Sequence, residues 1–289
     1  MRLTVLAPAK LNLFLDIAGK RSDGYHIINT VMQAVTLYDD VTVNTEDNDK
    51  INIWCSDAQI PCDETNTAYK AVVEFFRYAK LPQPGISIKI KKRIPSQAGM
   101  AGGSTDAAAV LTALNAMFDT QFTKPQLAEI AEKIGSDVPF CVYGGTMAAG
   151  GIGTILSPLP DIPECYLLIV KPEISISTRE AYEKSDELGY DMCKSSDIMI
   201  DSICNGSLKG IGRGMYNKFE EVVGIDEISE IKNTMLKHGA VGACLTGSGS
   251  AVFGIFQHKD NAENCSFTLN DQYDSVYIVE PTSDGQIIK

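Results

Sequence analysis

The sequence lacks the phosphate-binding motifs that are most widely shared among nucleotide-binding proteins. No G-x-x-x-x-G-K-[ST] segment occurs in its 289 residues, which excludes a Walker-type loop. No G-x-G-x-x-G segment follows a predicted strand, so a dinucleotide-binding Rossmann fold is not expected. The set of protein-kinase motifs is also missing. Any phosphate site in this chain must therefore use a different loop.

Positive charge is scarce. The chain carries 25 lysines and arginines against 37 aspartates and glutamates, which gives a formal net charge of -12 and a pI of about 4.7. Proteins that bind nucleic acid usually present a basic surface, so we predict that nucleic acid is not a partner. An anionic small molecule would have to be held by a local site against an unfavourable overall field.

Long apolar runs and clusters of metal-ligating residues are absent as well. No stretch approaches the roughly 20 apolar residues that span a bilayer, and the first residues are too short an apolar run for a signal peptide. We therefore predict no membrane partner and a cytoplasmic location, where disulfides are not expected. The three histidines lie far apart, no C-x-x-C pair occurs, and no metal site is predicted. Most of the eight cysteines have apolar neighbours, which is typical of small core residues.

The most informative segment that is present is KKRIPSQAGMAGGSTDAAA at residues 91–109. Isoleucines alternate with polar residues before it, which predicts a strand, and apolar residues recur at helical spacing after it, with Ser104 as the expected N-cap. Glycines let a backbone approach a ligand closely, and a helix start presents unpaired N–H groups. With three basic residues upstream, the segment predicts a phosphate site. A tight turn whose glycines serve geometry alone is the other interpretation.

Two charged residues stand out in apolar surroundings. Lys10 and Asn12 are two residues apart and so share one face of a predicted strand. A lysine there is costly to bury unless it is paired or useful, although an edge strand also uses lysine to prevent aggregation. Asp137 follows a predicted helix end and precedes an apolar stretch. It is either an N-cap without chemistry or a partly desolvated carboxylate that works with Lys10.

Two loops carry ligand-binding residue types. The turn RSDGYH ends in Tyr25 and His26, and surface loops of this kind often bind ligands, although a plain β-turn explains it equally well. The segment TGSGS at 246–250 lies between two predicted strands. It is either a simple hairpin connection or a loop that closes over phosphates.

The pattern of elements predicts a mixed α+β chain. Strand periodicity appears at 11–17 and 30–37, and segments 41–44 and 51–55 are expected to pair as a hairpin. The proline-rich stretch 157–163 marks a boundary. Beyond it the order β-α-α-β-β-α-β suggests a ferredoxin-like domain.

Three of these motifs occur in the order found in the GHMP small-molecule kinases, and the chain resembles that family over nearly its whole length. The motifs are PAKLNL at 8–13, the glycine loop and helix start at 95–109, and LTGSGS at 245–250. The resemblance implies a two-domain α+β fold. An N-terminal ATP-binding domain like ribosomal protein S5 domain 2 would span 1–156, and a ferredoxin-like domain would span 157–289. The active site would lie between them.

Within the family, the turn at 21–26 and the segment GSDVP at 135–139 are most similar to members whose acceptor is a cytidine diphosphate ester. The resemblance implies that ATP donates its γ-phosphate to the 2-hydroxyl of 4-diphosphocytidyl-2-C-methyl-D-erythritol, in non-mevalonate isoprenoid biosynthesis. It also implies Mg²⁺, through the chemistry of ATP rather than through visible ligands, and a monomer or weak homodimer. The alternatives are a GHMP kinase for mevalonate, homoserine or a sugar, a non-catalytic ligand-binding relative, or an adaptor protein.

The resemblance assigns roles by matched position. Lys10 and Asp137 would flank the acceptor hydroxyl, with Asp137 as general base or as a group that positions the hydroxyl. The substrate-binding residues would be Asn12 on the methylerythritol, Tyr25 and His26 on the cytosine, and Gly247 and Ser248 on the methylerythritol and phosphates. The ATP-binding residues would be Asn66, Lys92, Pro95, Ala98, Gly99, Met100, Ala101, Gly102, Gly103, Ser104 and Thr105.

Overall fold

The computed structural model describes residues 1–190 and 194–289, so that Cys193 lies outside the described residues. In chain order the strands are β1 (Arg2–Lys20), β2 (His26–Glu46), β3 (Ile51–Cys55), β4 (Gly85–Lys91), β5 (Thr146–Gly150), β6 (Ile155–Pro158), β7 (Tyr166–Val170), β8 (Tyr216–Asn217), β9 (Gly242–Leu245), β10 (Val252–Phe256), β11 (Val276–Val279) and β12 (Ile287–Ile288). The helices are α1 (Thr67–Ala79), α2 (Gly102–Met117), α3 (Lys124–Glu132), α4 (Val138–Tyr143), α5 (Thr178–Leu188), α6 (Asp197–Cys204), α7 (Leu208–Gly214), α8 (Lys218–Val223), α9 (Asp226–Lys237) and α10 (Lys259–Asn270).

The first sheet grows from the long antiparallel pair β1 and β2, which contain the two strand segments predicted in this part of the chain. Its main path runs β12-β1-β2-β4-β3, while β5 and β6 extend from β2, and β8 pairs with β1. Apolar residues of α1 to α4 form one core with this sheet, including Phe75 of α1, Leu111 of α2 and Phe140 of α4. The helices therefore cover one face of the sheet, and apolar burial drives their docking.

The expected hairpin between 41–44 and 51–55 is wrong. Residues 41–44 belong to β2, and β4 lies between β2 and β3, antiparallel to the first and parallel to the second. The reason is burial: the isoleucines of β4 at 86, 88 and 90 are almost completely buried, whereas β3 is half-exposed. β4, with its buried isoleucines, therefore occupies the inner position, and β3 takes the edge.

The second sheet has four antiparallel strands in the order β11-β7-β10-β9. Counted along the chain within this sheet the order is 4-1-3-2, so the ferredoxin-like expectation and the α+β fold class are confirmed. One face carries a core shared with α9 and α10, which includes Met235 and Cys265. The opposite face packs on β1, so the two sheets share a core that contains Leu11 and Phe253.

Strands from the end of the chain return to the first sheet. β8 pairs in parallel with Phe14 and Leu15 of β1, and β12 pairs antiparallel with Val5 and Leu6. The domain division at 156/157 stays a prediction, and these two short strands cross it. No helix in residues 1–190 or 194–289 combines the length and apolar character that a membrane span requires.

The described cysteines are unpaired thiols. Four of the seven are buried, Cys55 is half-buried, and Cys62 and Cys204 are exposed. Burial raises the pKa of the Cys141 thiol well above its ordinary value, as expected for a residue that fills core space rather than reacting.

Candidate active site

Lys10 and Asn12 of β1 line a cleft close to a register irregularity between β1 and β2. Positions 5 and 7 pack into the first core, whereas 9, 11 and 13 belong to the core between the sheets, and the register with β2 changes between Pro8 and Ala9. Irregularities of this kind re-aim side chains next to active sites. The intervening residues Lys10 and Asn12 face the cleft, although both are almost fully buried. An edge-strand role for Lys10 is excluded, because its side chain is buried and its backbone N–H donates to the Met100 carbonyl.

The Lys10 ammonium has two oxygen neighbours. Its Nζ donates to Asn12 Oδ1 at 2.6 Å and lies 3.6 Å from Asp137 Oδ2. Asp137 is the N-cap residue of α4, but its side chain makes no capping hydrogen bond. About a third of that side chain, 37%, is exposed. The carboxylate is thus turned to the cleft and the lysine instead of to its own helix, which favours the chemical interpretation of Asp137.

The glycine loop at 95–105 is anchored from beneath. Ala98 and Met100 bury their side chains in the core between the sheets. The Met100 carbonyl accepts from the backbone N–H of Lys10 at 3.2 Å, and the Ala98 carbonyl accepts from that of Ala251 at 3.3 Å. Because the loop's apolar side chains point inward, its backbone is the part that a ligand in the cleft can contact.

The prediction that Ser104 caps α2 is wrong. The helix begins three residues earlier than such a cap would give, at Gly102, after Ala101 in the left-handed conformation with φ +57°, and no side chain caps it. Gly102 and Gly103 carry no Cβ, so this first turn packs tightly against Lys92 and Thr67. Since no side chain caps the turn, its N–H groups are left for an anion.

The loop at 246–250 meets the first glycine loop at van der Waals distance. A Cβ on Gly99 would lie 2.1 Å from the Thr246 carbonyl oxygen, and one on Gly247 would lie 2.8 Å from the Gly99 Cα. Both residues also have positive φ, so glycine is required at each position for its backbone conformation as well as for the lack of space. The N–H of Gly247 donates to Asn12 Oδ1 at 3.1 Å, so that Asn12 joins the loop at 246–250 to Lys10.

These parts surround one cleft of ≈ 770 Å³. Its lining includes Lys10, Asn12, Gly99, Ala101, Asp137, Tyr182, Gly247 and Ser248. The Ser248 hydroxyl lies 2.8 Å from that of Thr178 at the start of α5, so a bridge forms between these two lining residues. The cleft combines a buried cation, a carboxylate and two glycine loops, groups that can position substrates and stabilise charge in phosphoryl transfer.

The two residues that the sequence predicts to bind cytosine, Tyr25 and His26, lie beside the cleft. Tyr25 is 60% exposed at the β1–β2 turn. The His26 ring stacks on Tyr182 at 4.3 Å between centroids and 20° between planes. Tyr182 is a functional candidate that the sequence reasoning missed, because only the folded chain brings α5 against the turn. Burial raises the pKa of Tyr182 to about 12, and the charge of Asp137 adds to it, so the phenol stays neutral at physiological pH.

A second residue not predicted from sequence, Asp186 of α5, connects α5 to the β1–β2 turn. It accepts from Lys20 Nζ at 2.5 Å and from His26 Nε2 at 2.7 Å, and also from the Tyr190 hydroxyl. Burial works against the charged form, but these three donors outweigh it and hold the pKa of Asp186 well below its usual range. The carboxylate therefore stays ionised and holds α5 on the turn that carries Tyr25.

Lys92 and Asn66, predicted to contact ATP, use their polar atoms inside the protein. Lys92 Nζ donates to Asp39 at 2.5 Å and to Asp106 at 2.7 Å. Burial raises the pKa of Asp106 to about 7, which Lys92 opposes and Asp39 reinforces. Asn66 caps α1 through Ala68 N at 2.8 Å.

A smaller pocket of ≈ 380 Å³ lies next to Lys92, outside the main cleft. Its lining is Ser56, Asp57, Ala58, Lys92, Arg93, Ile94, Pro95 and Ser96. Of the predicted ATP-binding residues, Lys92 and Pro95 therefore lie here, and Gly99 and Ala101 line the main cleft. The Thr105 hydroxyl is buried and accepts from Gln286 Nε2 at 3.0 Å.

The fold, the cleft and the two glycine loops together define a small-molecule kinase of the GHMP class. The family model described as GHMP kinases N terminal domain matches residues 66–145, and the one described as GHMP kinases C terminal matches 199–275. The crystal structure of homoserine kinase from Cytophaga hutchinsonii, at 20% identity, superposes with a TM-score of 0.81 over 100% of this chain and 97% of that one. At that identity the likeness shows the fold alone.

Relatives that match over their full length identify the family within this class. The 4-diphosphocytidyl-2-C-methyl-D-erythritol kinase of Clostridium tetani is 41% identical over 279 residues, which cover 96% of this chain and 99% of the relative. The kinase of the same name from Listeria monocytogenes is 40% identical, covering 99% and 98%. A crystal structure of 4-(cytidine 5'-diphospho)-2C-methyl-D-erythritol kinase, 28% identical, superposes with a TM-score of 0.81 over 96% of this chain and 98% of that one. The chain belongs to the 4-diphosphocytidyl-2-C-methyl-D-erythritol kinase family.

The contact between the glycine loops gives a prediction for Gly99→Ala. The matched control is Gly206→Ala, because Gly206 also has positive φ, +62°, but open space where its Cβ would go. We expect Gly206→Ala to lower the free energy of unfolding by about 1 kcal/mol, the cost of the left-handed conformation alone. Gly99→Ala should lower it at least twice as much, because its Cβ collides with Thr246, and should also reduce kcat. Urea denaturation and steady-state assays measure both; equal stability losses would contradict the loop contact.

Proposed function

We propose that this protein transfers the γ-phosphate of ATP to the 2-hydroxyl of 4-diphosphocytidyl-2-C-methyl-D-erythritol, a step of non-mevalonate isoprenoid biosynthesis. The observation that carries the proposal is the Lys10–Asp137 pair, 3.6 Å apart beneath two glycine loops, in a chain of the family that is named for this substrate. A mevalonate, homoserine or sugar kinase would have no use for an aromatic platform at Tyr25 and His26.

In the proposed reaction the acceptor hydroxyl oxygen forms a bond to the γ-phosphorus as the bond to the β-phosphate oxygen breaks, and ADP leaves. The hydroxyl proton passes to the Asp137 carboxylate, which acts as general base and also positions the hydroxyl. The Lys10 ammonium, held in place by Asn12, offsets negative charge that develops around the reacting oxygen. Positioning and electrostatics supply most of the rate in phosphoryl transfer, and both residues come from rigid elements.

The backbone of 95–105 would hold the ATP phosphates. Its uncapped helix start offers N–H donors and the positive end of the α2 dipole, which compensate locally for the chain's net charge of -12. The adenosine would lie toward the smaller pocket beside Lys92 and Pro95. Gly247 and Ser248 would cover the methylerythritol from the opposite side.

The cytosine would lie against Tyr25, with Tyr182 as a further aromatic wall of the cleft. Aromatic faces bind bases by stacking. His26 would contribute to reading the base, and Asp186 keeps its ring in place against Tyr182. The open side chain of Tyr25 is available to the base without displacing a neighbour, since it is 60% exposed.

We further propose that ATP is used as its Mg²⁺ complex. In residues 1–190 and 194–289 no three His, Cys, Asp or Glu side chains converge on a common point that could hold a metal. Mg²⁺ often keeps several waters and is bound by substrate phosphates with one or two carboxylates. The described residues therefore fit an ion held mainly by the ATP phosphates and water. When bound, the ion would neutralise phosphate charge.

Two other features belong to the proposal. A cytoplasmic site of action agrees with seven unpaired cysteines in the described chain, since the cytosol keeps thiols reduced. The expectation of a monomer or weak homodimer, and that of no nucleic-acid partner, remain predictions.

The test is ADP release by the purified protein with Mg²⁺-ATP and 4-diphosphocytidyl-2-C-methyl-D-erythritol, with mevalonate, homoserine and galactose assayed in parallel. We expect turnover with the cytidine substrate alone, and the product's phosphate position is read by ³¹P NMR. Turnover with another acceptor instead would keep the kinase chemistry and reject the cytosine site. ATP binding without turnover of any acceptor would reject the catalytic proposal.

The role of Asp137 predicts the kinetics of Asp137→Asn. Loss of a general base costs about 10²–10⁴-fold in rate, so kcat should fall by about that factor while the Kd for ATP changes less than twofold. Asp119→Asn is the control. This exposed aspartate follows the C-terminal end of α2 and does not line the cleft, and asparagine tolerates its positive φ equally well. A kcat for Asp137→Asn within threefold of wild type would remove Asp137 from the chemistry.

The cytosine platform predicts a substrate-selective defect in Tyr25→Ala. Stacking of a base on an aromatic ring is worth about 1–3 kcal/mol, so KM for the cytidine substrate should rise about tenfold or more. KM for ATP should stay within twofold. Tyr25→Phe keeps the ring face and should recover most of the loss. An equal rise of both KM values in Tyr25→Ala would contradict stacking.

A further inference from the structure

Asn217 is a buried asparagine outside the three sequence motifs. It ends the short strand β8, which pairs with Phe14 and Leu15 of β1, and only 1% of it is exposed. Its Nδ2 donates to the carbonyls of Leu245 and Gly247, each at 2.8 Å. Its Oδ1 accepts from the N–H of Phe219 at 2.9 Å and so caps α8. Both hydrogens of the amide are therefore used on the loop that contains Gly247.

Gly247 is held on both sides of its backbone by two asparagines. Its carbonyl accepts from Asn217, and its N–H donates to Asn12 Oδ1 at 3.1 Å. The same Asn12 oxygen accepts from Lys10 Nζ at 2.6 Å. A continuous series of hydrogen bonds thus runs from Asn217 through Gly247 and Asn12 to Lys10, which lies 3.6 Å from Asp137.

The loop depends on contacts from outside because two of its residues are glycines. Gly247 and Gly249 both have positive φ, a region in which glycine has no side chain to fix the backbone. Leu245, the residue before the loop, is held as well. Its N–H donates to Glu220 Oε1 at 2.6 Å, and its carbonyl accepts from Asn217. β8 and α8 therefore determine where the strand β9 ends and the loop begins.

We propose that Asn217 is a positioning residue for the transfer reaction, which holds Gly247 on Asn12 and thereby sets the orientation of Lys10. The proposal rests on the proposed function for its kinetic consequences and on the hydrogen bonds for its structural ones. Asn217 does not line the cleft, so it acts through Gly247 and Lys10 and not by touching a substrate.

Two variants separate the loop contact from the helix cap. In Asn217→Ser the hydroxyl can still accept at the α8 N-terminus, as serine caps do, but it cannot donate to both carbonyls. Asn217→Asp keeps the shape and the cap, yet it puts a carboxylate against two carbonyl oxygens. We expect kcat to fall about tenfold in Asn217→Ser and further in Asn217→Asp, with KM for ATP within threefold of wild type.

The control is Asn115→Ser in the N-terminal half. Asn115 also fixes a loop, through Nδ2 to the Phe122 carbonyl at 3.0 Å and Oδ1 from the Phe122 N–H at 2.9 Å, and it does not line the cleft. It should lose stability in urea denaturation like Asn217→Ser but keep its kcat. If both variants lose kcat in proportion to their stability, the positioning role is overturned.

A readout without turnover keeps this inference separate from the proposed function. Hydrogen exchange of peptides that cover 245–250, measured on the full chain without substrate, should be at least tenfold faster in Asn217→Ser than in wild type and unchanged in Asn115→Ser. Unchanged exchange in Asn217→Ser would overturn the proposal. If wild type turns over none of the acceptors, the proposed function fails, and the exchange result still decides whether Asn217 holds the loop.

Discussion

The buried ammonium of Lys10 is the group on which the rest of the site depends. A cation removed from water costs several kcal/mol unless its surroundings compensate, and Lys10 is only 4% exposed. Its compensation comes from Asn12 Oδ1 and from the Asp137 carboxylate. Because Asn12 also accepts from Gly247, the same oxygen that satisfies the lysine holds the second glycine loop over it. The hydrogen bonds that compensate the charge of Lys10 are therefore also those that assemble the site.

That arrangement requires both sheets at once. β1 contributes Lys10 and Asn12, while its other face packs against the second sheet in a core that also takes up Ala98 and Met100 of the first glycine loop. The loop at 246–250 approaches the first glycine loop so closely that neither Gly99 nor Gly247 can carry a Cβ. A shift of one sheet against the other would break these contacts together. The cleft is consequently a product of the shared core as much as of the motifs that line it.

Local patterns were most reliable where burial and periodicity agreed. The isoleucines at 86, 88 and 90 gave the correct strand β4, and the order of elements after 163 gave the ferredoxin-like sheet. They failed where neighbours in sequence are not neighbours in space. β4 displaced the expected partner of β3, and the glycines moved the start of α2 ahead of Ser104. No local pattern marks the site roles of Tyr182, Asp186 and Asn217, since each acquires that role from a segment more than 25 residues away.

The sequence by itself determined the α+β class, the three ordered motifs and the residue types of a phosphoryl-transfer site, because glycine spacing, strand alternation and motif composition are local properties of the chain. Only the tertiary structure decided between the alternatives that remained. It turned Asp137 away from its own helix and toward Lys10, it sent the Lys92 ammonium to two buried carboxylates, and it used Asn217 to hold Gly247. These are choices of partner for polar groups, and burial leaves such groups only the partners that long-range packing brings within hydrogen-bond distance.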